Sequence, residues 1–220
     1  MVRLSFSRRR FLQASVPTSV MLSGCLSVDD DTSETIGFAD GFEEEFAGWS
    51  RDSDVPEDPN NPGNPVAWMI TRSTERAASG AASLRYHLDG RQDDGTIWIV
   101  RGISVEAGRA YDVSVRTDAW SASESFNTIA HLVMYAGTSR PTSEGSFPKP
   151  GSNSSDAGVM DTGGLREPLN RAEGWIPYAF SWKTPELETE TIYIGVGISA
   201  VWETEMTYFV DDVKLTATPG

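Results

Sequence analysis

Tyr111-Asp112-Val113-Ser114-Val115-Arg116-Thr117-Asp118 decides how the rest of the chain is read. Tyr111, Val113, Val115 and Thr117 share one parity, and Asp112, Ser114, Arg116 and Asp118 share the other. Successive side chains of a strand point to opposite faces, so this stretch is a ribbon with one apolar and one polar side. The pattern returns further on. Ile192, Ile194, Val196 and Ile198 alternate with Tyr193, Gly195, Gly197 and Ser199, and Tyr178, Phe180 and Trp182 alternate with Ala179, Ser181 and Lys183. Strand-like runs also cover 66–74, 82–88, 96–105, 128–136 and 206–217, and Glu106-Ala107-Gly108-Arg109 reads as a tight turn. No segment sustains apolar residues at i, i+3, i+4 and i+7. Some eight or nine strands with turn residues between them predict an all-β antiparallel sandwich or barrel. Residues 137–173 are rich in Gly, Ser, Pro and Asp but lie between strands, so they read as a long loop inside one domain.

The N-terminus carries a different signal. Arg3, Arg8, Arg9 and Arg10 precede a modestly apolar run, Phe11 to Gly24, with no acid before Cys25. Those 14 residues fall short of the roughly 20 that a spanning helix needs. Ser7-Arg8-Arg9-Arg10-Phe11-Leu12-Gln13 resembles the twin-arginine export signal, and Leu22-Ser23-Gly24-Cys25 resembles the lipobox of bacterial and archaeal lipoproteins. These resemblances imply export through Arg8-Arg9 and a lipid on the Cys25 thiol, the only cysteine in the chain. A plain secretory cleavage site with an incidental cysteine is the alternative. Either way no intrachain disulfide is available, so the domain must stand on its own core. The expected organisation is an export signal over 1–25, an acidic tether over 26–35 and one domain over 36–218. The expected location is the cell surface, lipid-anchored to the outer face of the cytoplasmic membrane.

Beyond residue 25 there are 14 basic and 32 acidic residues, a formal charge of −18, and only Lys149, Lys183 and Lys214 as lysines. Nucleic-acid binding requires a basic footprint, so that partner is excluded. Dispersed acid with scarce lysine resembles the proteins of extreme halophiles, in which salt screens the repulsion between carboxylates.

The order of short motifs carries a further resemblance. Asp40-Gly41-Phe42-Glu43 with Gly48-Trp49 comes first, then Ala78-Ser79-Gly80 with Ser83-Leu84. Val105-Glu106-Ala107-Gly108 with Tyr111 follows, then Trp182, and last Tyr208-Phe209-Val210-Asp211-Asp212-Val213. The series resembles the galactose-binding-like jelly rolls, especially carbohydrate-binding modules, over nearly the whole of 36–218. It implies a jelly-roll β-sandwich with Trp49 and Trp182 in packing positions. On the last strand Asp211 shares the parity of Phe209, Val213 and Leu215, which reads as core-facing, and a carboxylate there needs a partner or a metal. The resemblance implies that Glu43 and Asp211 help hold a structural calcium, with carbonyls from the 78–82 turn completing an oxygen shell. An arginine or backbone amides are the alternative partners.

Seven tryptophans invite a search for a ligand face. Sugars stack their C–H faces on aromatic rings and offer hydroxyls to polar side chains. Trp98, Arg116, Asp118 and Trp120 lie on the parity opposite the core residues of their strands, and His131 and Tyr135 share a parity in theirs. If those faces coincide they form a groove for a polysaccharide or cell-surface glycan; each residue could equally be an ordinary half-exposed side chain. Catalytic motifs are missing: no Gly-x-Ser-x-Gly, phosphate loop or dinucleotide fingerprint appears, and His87 and His131 lack metal-ligand spacing. Three functions therefore stand: a non-catalytic glycan-binding module, a jelly-roll polysaccharide lyase using His131, Tyr135 and Arg116, and a structural surface protein without a sugar ligand.

Overall fold

The computed structural model describes residues 34–220 except 45, 47, 90–94, 122–129, 170–173 and 201–205. Arg8, Arg9 and Cys25, with the whole export segment, lie outside the described residues. The strands are β1 (Ile36–Asp40), β2 (Ser50–Asp54), β3 (Trp68–Ser73), β4 (Ser83–Leu88), β5 (Gly95–Ser104) and β6 (Tyr111–Ser121). They continue with β7 (Ala130–Gly137), β8 (Ser152–Asn153), β9 (Thr162–Pro168), β10 (Trp175–Lys183), β11 (Thr191–Ala200) and β12 (Met206–Pro219).

Two six-stranded sheets form a jelly-roll β-sandwich, and among the described residues the named strands pair antiparallel. The first sheet runs β10-β6-β12-β4-β3, with β1 also on β12, and the second runs β2-β5-β11-β7-β9-β8. The inward parities meet as anticipated: Val113 and Val115 of β6, Phe180 and Trp182 of β10, and Ile192 to Ile198 of β11 join one core cluster. Trp49 belongs to it as well. Buried Tyr86 crosses this core and donates its hydroxyl to the Val196 carbonyl at 2.9 Å, tying one sheet to the other.

Two expectations need correction. The 137–173 segment is more than a loop, because β9 pairs with β7 from His131↔Pro168 to Gly137↔Thr162 and β8 pairs with β9. Its strand was masked by Gly163 and Gly164, which offer no side chain to a periodicity search. The second correction concerns β12, which changes phase. Tyr208 and Val210 face the core, a bulge intervenes at Asp212 (φ +52°), and Val213, Leu215 and Ala217 face the core after it. Phe209 and Asp211 therefore lie on the outer face, where Phe209 packs on Trp120 at 5.7 Å between centroids. A bulge adds one residue to one strand and so moves everything beyond it to the other face.

Candidate functional site

The sandwich separates the predicted ligand residues. Arg116, Asp118 and Trp120 line the outer face of the first sheet, whereas Trp98, His131 and Tyr135 line the outer face of the second. The single groove is not assembled, and a lyase centre of Arg116 with His131 and Tyr135 is not assembled either. On the first sheet Arg116 pairs with Asp118 at 3.3 Å, and the Arg76 guanidinium covers the Trp120 ring at 3.6 Å.

The second sheet's outer face is covered by its own chain. Trp98, Val100, Val133, Tyr135 and Phe147 form a separate apolar cluster, with Phe147 edge-on to Trp98 at 5.4 Å and to Tyr135 at 6.1 Å. Gly197 permits this close layer, since a Cβ there would lie 2.6 Å from the Trp98 Cβ. Trp98 and Tyr135 are thus buried under the segment after β7, not open to solvent as expected. The Tyr135 hydroxyl donates to the Ser139 carbonyl at 2.8 Å, and burial raises its pKa.

A polar cluster adjoins that apolar layer. Strand register places Thr96, Ser199 and His131 side by side, with Arg166 opposite Val133 on the neighbouring strand. Arg166 is 5% exposed, donates from Nη2 to Ser199 Oγ at 2.7 Å and meets Glu144 Oε1 at 2.8 Å. Thr96 donates to Glu144 Oε2 at 2.8 Å. A guanidinium withdrawn from water requires such a counter-charge. His131 is 9% exposed; burial first, then the Arg166 charge, lowers its pKa from 6.5 against the opposing pull of Glu144. Its imidazole is therefore neutral at pH 7.

Trp98 Nε1, His131 Nδ1 and Arg166 Nε are buried and have no hydrogen-bond partner among the described residues. Buried polar atoms are nearly always satisfied, and an unmade hydrogen bond costs about 1–3 kcal/mol. That all three lie on this one face marks it as the candidate ligand site. Trp98 and His131 were legible from parity. Glu144 and Arg166 were not, because both sit in the stretch read as loop.

Glu43 and Asp211 do meet at the 78–82 turn, on the outer side and away from the core. Asp211 Oδ2 accepts the N–H groups of Ala78 at 2.7 Å and Ser79 at 3.2 Å. Glu43 Oε1 accepts those of Ala81 at 2.8 Å and Ala82 at 3.2 Å. Gly80 sits between them at φ +62°, and a Cβ there would collide with the Glu43 carboxylate. Burial raises the Asp211 pKa above 3.8, opposed by its amide bonds, including that from Asp212. Backbone amides, the alternative partners, thus hold both carboxylates. Among the described residues no three His, Cys, Asp or Glu groups are placed to hold a metal.

No family model and no curated relative matches the chain. Solved structures resemble it over about four fifths of its length. A module in complex with β-1,4-galactotriose, TmCBM61, is 14% identical with a TM-score of 0.46 and coverage of 80% of this chain and 92% of that one. The xylan-binding domain CBM22-1 from Paenibacillus barcinonensis Xyn10C is 12% identical, TM-score 0.45, covering 83% and 94%. The family 11 carbohydrate-binding module from Clostridium thermocellum, in complex with a β-1,3-1,4-mixed-linked tetrasaccharide, is 14% identical, TM-score 0.43, covering 82% and 94%. At these TM-scores and identities the likeness assigns no ligand and no residue role to this chain.

Proposed function

We propose that the protein is a non-catalytic glycan-binding module displayed at the cell surface. The supporting observation is the outer face of the second sheet, where Trp98, His131 and Arg166 each keep a buried polar atom without a partner beside an aromatic layer. Convergent polar groups suit a sugar, whose hydroxyls both donate and accept, and the apolar layer beside them keeps water from the contact. The Arg8-Arg9 motif and Cys25 extend the proposal to twin-arginine export and lipid anchoring. The acidic, lysine-poor composition extends it to a high-salt habitat.

A panel of soluble polysaccharides, tested by calorimetry in molar salt, should yield at least one ligand whose binding Trp98→Ala or His131→Ala weakens about tenfold or more. Failure of every polysaccharide would leave a structural surface protein as the better account. For the anchor, Cys25→Ser should release the protein from membranes into the medium; retention would refute lipidation there.

A further inference from the structure

The polar cluster on the second sheet already holds a carboxylate, and it is the chain's own. Glu144 opens the short 3-10 turn Glu144–Ser146, a turn that buries none of its own residues. Its side chain is 25% exposed, so the site meets solvent at this point. The groups that grip its carboxylate, Arg166 and Thr96, are fixed on β9 and β5 and are themselves buried. Phe147 is packed against Trp98 and Tyr135, contacts that seat the segment independently of the Glu144 side chain. The donors are therefore rigid while the acceptor they hold is removable.

Charge selects what can replace it. Arg166 is too deeply buried to be left without a counter-anion, so a neutral sugar displacing Glu144 would strand the guanidinium. A ligand carboxylate would not. Glu144 meets Nη2, yet the Nε–H on the same edge of the guanidinium has no partner among the described residues. A carboxylate free of the backbone's constraint can take both N–H groups side by side, the strongest geometry of this pair. The Nδ1 of neutral His131 is left for a neighbouring hydroxyl.

We propose that this site recognises a carboxylated sugar, whose carboxylate displaces that of Glu144 from Arg166 and Thr96. The inference rests on the glycan-binding reading and narrows it to acidic glycans. It also makes Glu144 a built-in competitor that lowers the protein's affinity for its ligand.

The test uses polygalacturonate, alginate and hyaluronan alongside their carboxyl-reduced counterparts, with molar salt to screen the acidic surface. Wild type should bind at least one polyuronate and prefer it to its reduced form. Glu144→Gln keeps the side chain's shape and removes its charge, and should tighten polyuronate binding about tenfold while leaving neutral polymers unchanged. Asp54→Ala, at an exposed position, removes the acceptor of the Glu144 backbone N–H and should shift affinity the same way by less. Glu188→Gln, an exposed acid away from the site, should change nothing. Equal binding of acidic and reduced polymers, binding of neutral polymers alone, or tightening by Glu188→Gln as large as by Glu144→Gln would overturn the inference and spare the glycan reading. Silence across both this set and the neutral panel would overturn both.

Discussion

On the first sheet's outer face Arg116 pairs with Asp118 at 3.3 Å, and the arginine side chain is 53% exposed. On the second sheet's outer face Arg166 pairs with Glu144 at 2.8 Å, and the arginine side chain is 7% exposed. Both are arginine–carboxylate pairs on solvent-side faces of one sandwich. They differ in what lies above them: water over the first, the segment after β7 over the second. An exposed pair is screened and can be lost cheaply, whereas a buried pair fixes which charges the site will accept. A polar face therefore becomes a selective site only where something excludes water from it.

The contrast predicts its largest effect at Glu144. Glu144→Ala should cost about 3 kcal/mol in denaturant unfolding, because the buried guanidinium is left uncompensated. Arg116→Ala should stay within about 0.5 kcal/mol. Comparable losses would erase the distinction between the faces. A second, smaller effect concerns the 78–82 turn, which is exposed at 78–81 but hangs on the buried Asp211 carboxylate. Asp211→Ala should cost about 2 kcal/mol, since the amides of Ala78, Ser79 and Asp212 all lose their acceptor. A chelator should leave the melting temperature of the wild type unchanged. A rise on adding calcium would show that the turn reorients its peptide groups around an ion.

The smallest effect is a slope with pH. His131 in the folded protein has a pKa below the ordinary 6.5, so on acidification the unfolded chain takes up its proton first. This term is absent above that pH and lowers stability as the pH falls through and below it. His131→Gln should flatten the melting temperature in that window. An unchanged slope would mean that the imidazole is not shielded as the covered face requires.

Clean alternation made most of the sandwich legible. β6 and β10 bury every second side chain, and β11, buried on both faces beyond Tyr193, still alternates Ile and Val with Gly and Ser, so their parity could be assigned from the residues alone. β9 was hidden because Thr162-Gly163-Gly164-Leu165-Arg166 has little pattern of its own and becomes a strand by pairing with β7. Arg166 disappeared with it, and so did the reason for Glu144. The phase change at Asp212 left a trace that could have been used: Tyr208 and Val210 are out of step with Val213 and Leu215. The faces of individual strands could be read, but which faces coincide could not. Parity is a property of one strand, whereas sheet membership depends on contacts between residues far apart in the chain.

The position of β12 sets the order in which the molecule can be made. β6 flanks it along its length, while β4 lies beside its first half and β1 beside its second. The last strand of the sandwich is thus the centre of the first sheet. Until it emerges, β10 with β6 and β4 with β3 are two separate hairpin-like pieces with an unfilled space between them. Folding must therefore wait for nearly the whole sandwich, and β12 pairs with residues 87 to 181 positions away. Such wiring makes for slow acquisition of structure. It also makes the last fourteen-residue strand the piece that turns two fragments into one cooperative body.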